Sequence, residues 1–236
     1  MKDLGIKLYA DGADLKDMLK WYNSGIISGF TTNPTLIRKA GITNYKGFAK
    51  NVLEEIKDMP ISFEVFSDDP EIMEKEAREI SSWGKNVYVK IPVTFTNGIA
   101  TTNLIKKLSE DGIKLNVTAI LTFNQVQMVL HYLSKETSSI ISVFAGRIAD
   151  TGINPADIMK LSSLVIKKNK NCELLWASPR GIYDIIQARN CGCDIITVLP
   201  EILKKLPMLG KDLNELSLDT VKMFYNDAKE AGYKIL

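Results

Sequence analysis

Short apolar runs alternate with longer amphipathic stretches along the whole chain. The runs at 6–10, 26–31, 61–66, 86–91, 114–118, 140–144, 173–177 and 194–198 are rich in Ile, Val and Leu. Most are apolar on both faces, which predicts parallel strands covered on both sides. Between them the spacing becomes helical, over 14–23, 45–58, 69–83, 98–111, 122–134, 155–168 and 179–190. A short helix is expected near 201–206 and a last one over 218–231. Local chemistry sets several boundaries. Asp14 is a capping residue, Pro60 follows the second helix, Pro70 lies in the first turn of the third, and Gly112 stops the fourth.

Eight β-then-α units in one chain predict an α/β fold, a single-domain (β/α)8 barrel of the TIM type covering 1–236. An additional C-terminal helix is expected at about 218–236. No Pro/Gly/Ser-rich linker divides the chain. Asp11-Gly12-Ala13-Asp14, after the first strand, is not a glycine-rich dinucleotide loop. The last helix carries Val221, Phe224, Tyr225, Ala228 and Tyr233 at roughly helical spacing. That face must be covered, either by its own barrel or by a neighbouring subunit.

Composition narrows the function classes. The 236 residues are 45% hydrophobic and carry a net charge of +2, with the lysines spread out. This gives no basis for nucleic-acid or membrane partners, and no apolar run reaches a membrane span. Met1-Lys2-Asp3-Leu4-Gly5 leads almost directly into a strand, so no signal peptide is expected and the location is read as cytoplasmic. Cys172, Cys191 and Cys193 are odd in number and wrongly spaced for zinc or redox motifs, and read as buried thiols. The only histidine is His131, on a helix. Acid–base work must therefore come from carboxylates, hydroxyls or lysine, and no metal site or cofactor is expected.

In such a barrel, polar residues at the C-terminal ends of the strands converge on one mouth. The first strand ends in Asp11 and the second runs into Thr31-Thr32-Asn33-Pro34. The third holds Glu64, the fourth Lys90, and the fifth Asn116 and Thr118. The sixth offers Ser142 and Phe144, with Arg147 beyond; the seventh runs into Ser178 and Arg180; the eighth offers only Thr197. Taken singly, Lys90 in Val87-Tyr88-Val89-Lys90-Ile91-Pro92 reads equally as a strand-end lysine reaching water. Taken with the others, it suits carbonyl chemistry. A desolvated amine attacks a carbonyl, a carboxylate moves protons, and the iminium accepts electrons as a carbon–carbon bond breaks. Arg147 and Arg180 are either a phosphate grip, with Ser178, or surface arginines in ion pairs, for example Arg147 with Asp150.

Several runs, in order and spacing, make the chain resemble the transaldolase family, and within it the small members that include fructose-6-phosphate aldolase. They are Gly29-Phe30-Thr31-Thr32-Asn33-Pro34-Thr35-Leu36, Val89-Lys90-Ile91-Pro92-Val93-Thr94 and Gly112-Ile113-Lys114-Leu115-Asn116-Val117-Thr118. Two more follow, Ser142-Val143-Phe144-Ala145-Gly146-Arg147-Ile148-Ala149-Asp150 and Ala177-Ser178-Pro179-Arg180. The resemblance implies a metal-independent class I enzyme that moves a dihydroxyacetone unit from a ketose phosphate to an aldose phosphate. Lys90 would be the Schiff-base lysine and Asp11 the acid–base on the donor hydroxyl. Glu64 and Thr118 would hold the catalytic water. Asn33, Thr31, Asn116 and Ser142 would hold the donor, and Arg147, Ser178 and Arg180 the acceptor phosphate.

Glu64 and Phe144 are the transaldolase-like choices where fructose-6-phosphate aldolase has glutamine and tyrosine. The resemblance also implies a homo-oligomer, a pentamer or decamer, with the C-terminal helix packed on a neighbour. Departures from the family pattern are Gly12, Trp176 and the stretch 133–139. They bear on the acceptor, which leaves an aldolase for another sugar phosphate as an alternative. A sugar-phosphate-binding barrel without catalysis is a third reading, opposed by Lys90, Asp11 and Glu64 together.

Overall fold

The computed structural model describes residues 4–235. Met1–Asp3 and the last residue of the predicted C-terminal helix, Leu236, lie outside them. Two compact units follow one another, a barrel running to Leu203 and a C-terminal unit from Lys204.

The barrel strands are β1 (Lys7–Asp11), β2 (Gly29–Thr31), β3 (Ile61–Glu64), β4 (Val87–Pro92), β5 (Leu115–Ile120), β6 (Ser139–Val143), β7 (Cys172–Trp176) and β8 (Ile195–Val198). All pairings are parallel, and β8 returns to β1 to close the barrel in sequence order. The helices of this unit are α1 (Leu15–Asn23), α2 (Pro34–Lys39), α3 (Tyr45–Glu55), α4 (Pro70–Ser81), α5 (Thr102–Glu110), α6 (Phe123–Tyr132), α7 (Ala145–Asp150), α8 (Ala156–Ile166), α9 (Tyr183–Asn190) and α10 (Pro200–Leu203). The eight-stranded α/β barrel is the predicted fold.

The strands are apolar on both faces because each face is covered. Residues such as Phe63, Val89, Ile91 and Leu174 are fully buried. Phe63 meets Tyr45 and Trp83 edge-on at 6.1 and 5.7 Å between ring centres. Tyr9, Ile140, Leu175, Ala177 and Ile195 form a core cluster, with Tyr88 and Phe144 packed against it. Tyr9 faces Gly29 in register, and a Cβ at Gly29 would lie 2.6 Å from the tyrosine ring. Trp176 is buried, one residue out of phase with Leu175 and Ala177, which line a cavity at the C-terminal ends of the strands. Its ring does not line that cavity, so this departure from the family pattern leaves the mouth unchanged.

Several boundaries differ from expectation for local reasons. The helix expected from 98 starts at Thr102, because Ala100 pairs back to Thr94 as an isolated bridge. The helix expected from 179 starts at Tyr183, because the Asp184 carboxylate accepts the N–H groups of Arg180 and Gly181 and holds them in a turn. α2 and α7, of six residues each, were not anticipated.

In the second unit a 3-10 turn (Leu206–Met208) precedes α11 (Leu213–Glu230). α11 starts before the expected 218 because the Asp212 carboxylate accepts the N–H groups of Asn214 and Glu215 at 2.8 and 3.1 Å. It ends at Ala231 and Gly232, the glycine taking φ 68° as a helix terminator. No residue of α11 is buried. Among the described residues, no helix is long and apolar enough to cross a membrane.

Candidate active site

A cavity of about 450 Å³ opens at the C-terminal ends of the strands. Every predicted site residue lines it, from Asp11 through Arg180, together with Thr197. Strand register explains the gathering. Glu64, Lys90 and Asn116 are register partners across β3, β4 and β5, and Asp11 is partnered with Thr31 across β1 and β2.

Lys90 is 6% exposed. Its ammonium donates to the Thr32 carbonyl at 2.7 Å and lies 2.9 Å from Glu64 Oε2. A buried ammonium needs such partners, since desolvation alone would expel its charge. Glu64 is itself anchored: Tyr45 Oη accepts its backbone N–H at 2.9 Å, and the Tyr45 ring packs against Phe63, Phe66 and Trp83.

Asp11 accepts from Thr31 Oγ1 at 2.9 Å and from Asn33 Nδ2 at 3.2 Å. The Thr-Thr-Asn-Pro run has a physical logic. Pro34 occupies the first turn of α2, and Asn33 caps it with Oδ1 accepting the Leu36 N–H at 2.9 Å. The cap fixes the amide so that its NH2 faces Asp11. Burial pushes the Asp11 carboxyl above the ordinary aspartate range, and repulsion from Glu64 adds to it. Attraction to Lys90 and the two donated hydrogen bonds oppose the rise without cancelling it.

Thr31 and Ser142 do not present free hydroxyl groups to the cavity. Thr31 donates to Asp11 while its oxygen lies 2.5 Å from that of Thr197, so Thr197 is the donor in that pair. Ser142 Oγ donates to Asn116 Oδ1 at 2.6 Å, and Asn116 Nδ2 donates to Ser62 Oγ at 3.0 Å. Thr118 is the opposite case. Its Oγ1 is buried and has no protein partner. The strand pairing slips between Val117 and Ile120, and Ala119 takes φ 61° there. This bulge leaves the Thr118 hydroxyl unpaired at the cavity wall. Ser62 and Tyr45 were missed by the sequence reading. Ser62 was detectable as the residue two before Glu64 on one strand face; Tyr45 carried no local signal.

On the far rim, Phe144 precedes α7 and the Arg147 guanidinium sits over its ring at 5.5 Å. The ion pair considered for Arg147 is instead made by Arg180. Its Nε donates to Asp150 Oδ1 at 2.9 Å and its Nη2 pairs with the other oxygen of that carboxylate. Arg180 Nη1 donates to the carbonyl and the hydroxyl of Ser178 at 2.9 and 3.0 Å. Arg180 holds the Asp150 carboxyl below the usual range. Ser178 takes φ 61°, strained for a serine and concentrated where the loop meets the cavity. Gly146 makes that meeting possible, since a Cβ there would fall 1.6 Å from the Ser178 carbonyl oxygen.

Among the described residues, no three His, Cys, Asp or Glu side chains gather as metal ligands would. The three cysteines are free and buried.

The family described as Transaldolase/Fructose-6-phosphate aldolase matches residues 8–235. The chain belongs to the transaldolase/fructose-6-phosphate aldolase family. A probable transaldolase of Thermoanaerobacter sp. (strain X514) is 35% identical over 235 residues, covering 98% of this chain and all of that protein. A probable transaldolase of Caldicellulosiruptor saccharolyticus is 36% identical over 203 residues, 85% of this chain and 89% of that one. One from Dehalococcoides mccartyi is 32% identical over 202 residues, with similar coverage of 85% and 90%. Family membership and these names support a transaldolase-type enzyme, and the matched region includes every side chain described above.

Proposed function

We propose that the protein is a class I transaldolase, transferring a dihydroxyacetone unit from fructose 6-phosphate or sedoheptulose 7-phosphate to an aldose phosphate through a Schiff base on Lys90. The observation that carries this reading is a buried amine 2.9 Å from one carboxylate, in the same mouth as a second carboxylate whose pKa is raised. The Glu64 contact gives the ammonium proton a direct way off. The free amine then adds to the donor C2 carbonyl, and the carbinolamine loses water to leave a protonated imine. Glu64 and the unpartnered Thr118 hydroxyl hold the water of that step.

Asp11 next takes the proton of the C4 hydroxyl. The C3–C4 bond breaks, its electron pair moves into the iminium to give an enamine, and the first aldose phosphate departs. The enamine adds to the acceptor aldehyde and Asp11 returns its proton to the new alkoxide. Water then releases the product ketose and restores Lys90. The lysine acts as the electron sink, so the cycle needs no metal or cofactor. Asn33 and Asn116 reach the donor hydroxyls, and Arg147, Arg180 and Ser178 receive the acceptor phosphate. Thr31 and Ser142 act mainly by orienting Asp11 and Asn116. The enzyme works in the cytoplasm as a homo-oligomer, with no nucleic-acid or membrane partner.

The test is reductive trapping. Incubation with fructose 6-phosphate followed by borohydride is expected to add a dihydroxyacetone-sized mass to the peptide bearing Lys90. Prior addition of erythrose 4-phosphate should discharge it. Absence of any adduct, with free dihydroxyacetone as donor too, would sink the mechanism.

Phe144 decides transfer against release. A phenyl ring cannot protonate the enamine, so the enamine waits for an aldehyde. Phe144→Tyr is expected to raise release of free dihydroxyacetone from fructose 6-phosphate roughly tenfold or more, short of the ~10²–10⁴ of a fully positioned general acid. No gain would argue for an aldolase whose release step lies elsewhere.

A further inference from the structure

The strands that end at the catalytic mouth begin around a second cavity, at the other end of the barrel. It measures about 420 Å³. Its walls are the first residues of β1, β6 and β7, Asp194 ahead of β8, and the turn between α8 and β7. None of these residues takes part in the aldol chemistry.

Asn169 is the informative residue. It is 8% exposed, and its Oδ1 accepts the Asn171 N–H at 3.1 Å. That bond fixes the amide orientation, leaving Nδ2 as a buried donor without a protein partner on the cavity wall. Ser139 shares the wall. Its hydroxyl is also unpaired, apart from the neighbouring Cys172 thiol. Burial pushes that thiol up to about 12, so it stays neutral and is a weak acceptor.

The charges point the same way. Glu173 Oε1 already accepts Lys7 at 2.7 Å, and Asp194 Oδ2 accepts the Leu174 N–H at 2.8 Å. Lys167 and Lys170, also on the cavity, make no ion pair among the described residues. The unused donors are two ammoniums and one amide NH2, with the Ser139 hydroxyl held only by a weak thiol acceptor, and the unused acceptors are the second oxygens of Glu173 and Asp194. A tetrahedral oxyanion matches such a set, because each of its oxygens accepts more than one hydrogen bond.

We propose that this cavity is a second small-molecule site, binding a phosphate group through Asn169, Ser139, Lys167 and Lys170, separate from the catalytic mouth. The second oxygens of Glu173 and Asp194 remain as acceptors for hydroxyl groups. A phosphate monoester of a polyol therefore fits better than inorganic phosphate, and the site would sense the class of compound that the enzyme turns over. The proposal does not depend on the role given to Lys90.

Calorimetric titration of the full-length protein tests it, with inorganic phosphate and with glucitol 6-phosphate, which lacks the carbonyl needed for a Schiff base. The Arg147→Ala/Arg180→Ala variant removes the guanidiniums of the mouth. It is expected to retain one saturable phosphate site, which glucitol 6-phosphate fills more tightly than inorganic phosphate. Adding Lys167→Ala and Lys170→Ala should weaken that binding about tenfold or more, a little over one kcal/mol. Both lysines are exposed, so the fold should survive, and an unchanged circular dichroism spectrum checks it. Equal affinity for the two compounds would keep the site and assign it to free phosphate. Absence of saturable binding in the Arg147→Ala/Arg180→Ala variant would overturn the proposal. So would binding there that is indifferent to the two lysine substitutions.

Discussion

Asp11 accepts two hydrogen bonds and lies in the field of Lys90, yet burial still leaves its carboxyl above the ordinary aspartate range. The raised value suits the proposed role of Asp11, holding a proton between bond cleavage and bond formation, and it has a cost in stability. The folded state binds this proton more tightly than the unfolded chain does. Asp11 therefore detracts nothing below the ordinary aspartate pKa of roughly 4, and stability is lost as the pH rises from there through the raised folded value. Asp11→Asn keeps the shape and an acceptor for Thr31, and removes the titration. Its urea midpoint should exceed that of the parent at pH 8, with the gain shrinking to nothing as the pH falls below about 4. Transfer activity should fall by about 10²–10⁴. Equal midpoints across the whole pH range would show that burial of Asp11 carries no such penalty.

Among the elements, the short ones carry the site, and they were the hardest to read. The eight strands were legible because their apolar residues are covered on both faces. The long helices were legible because a stripe of apolar residues recurs along them. α2 and α7 have six residues each, too few for a period to show. Yet α2 fixes Asn33 on Asp11, and α7 carries Arg147. Ala119 and Ser178 take positive φ without being glycine or asparagine, so no residue type marked those turns. Lys90, Asp11 and Glu64 stand out in the sequence because charge in an apolar strand, or at its end, is conspicuous. The Asp150 partner of Arg180 depended on how two loops meet. Gly146 governs that meeting. Gly146→Ala places a methyl 1.6 Å from the Ser178 carbonyl oxygen and must push α7 from the β7 loop. A loss of about 1–3 kcal/mol in stability is expected. KM for erythrose 4-phosphate should rise well above that of the parent, while turnover with unphosphorylated glyceraldehyde changes little. A uniform fall in both would place Gly146 in the fold alone and not in the phosphate grip.

For the whole molecule, the exposed apolar face of α11 calls for a cover. All of its residues are at least partly exposed, and Leu213, Val221, Phe224 and Tyr225 are 62–77% exposed. Most helical stability in proteins comes from packing of an apolar face, and the 18 residues of α11 bury none. A second copy of the chain is the partner that the resemblance to small transaldolases implies, in a ring of five or a pair of rings. Charge placed on the face should then break the assembly. Every residue lining the catalytic cavity lies between Asp11 and Leu199, ahead of the C-terminal unit. The proposed assembly and the proposed Schiff-base formation are therefore separable. Val221→Glu/Phe224→Glu is expected to convert a multimer into single chains by sedimentation velocity while still giving the borohydride-trapped Lys90 adduct. Those chains should also melt earlier and in a concentration-independent way, because association no longer contributes to folding stability. A parent protein that already sediments as a single chain would remove the oligomer from this account and leave the catalytic reading of Lys90 untouched.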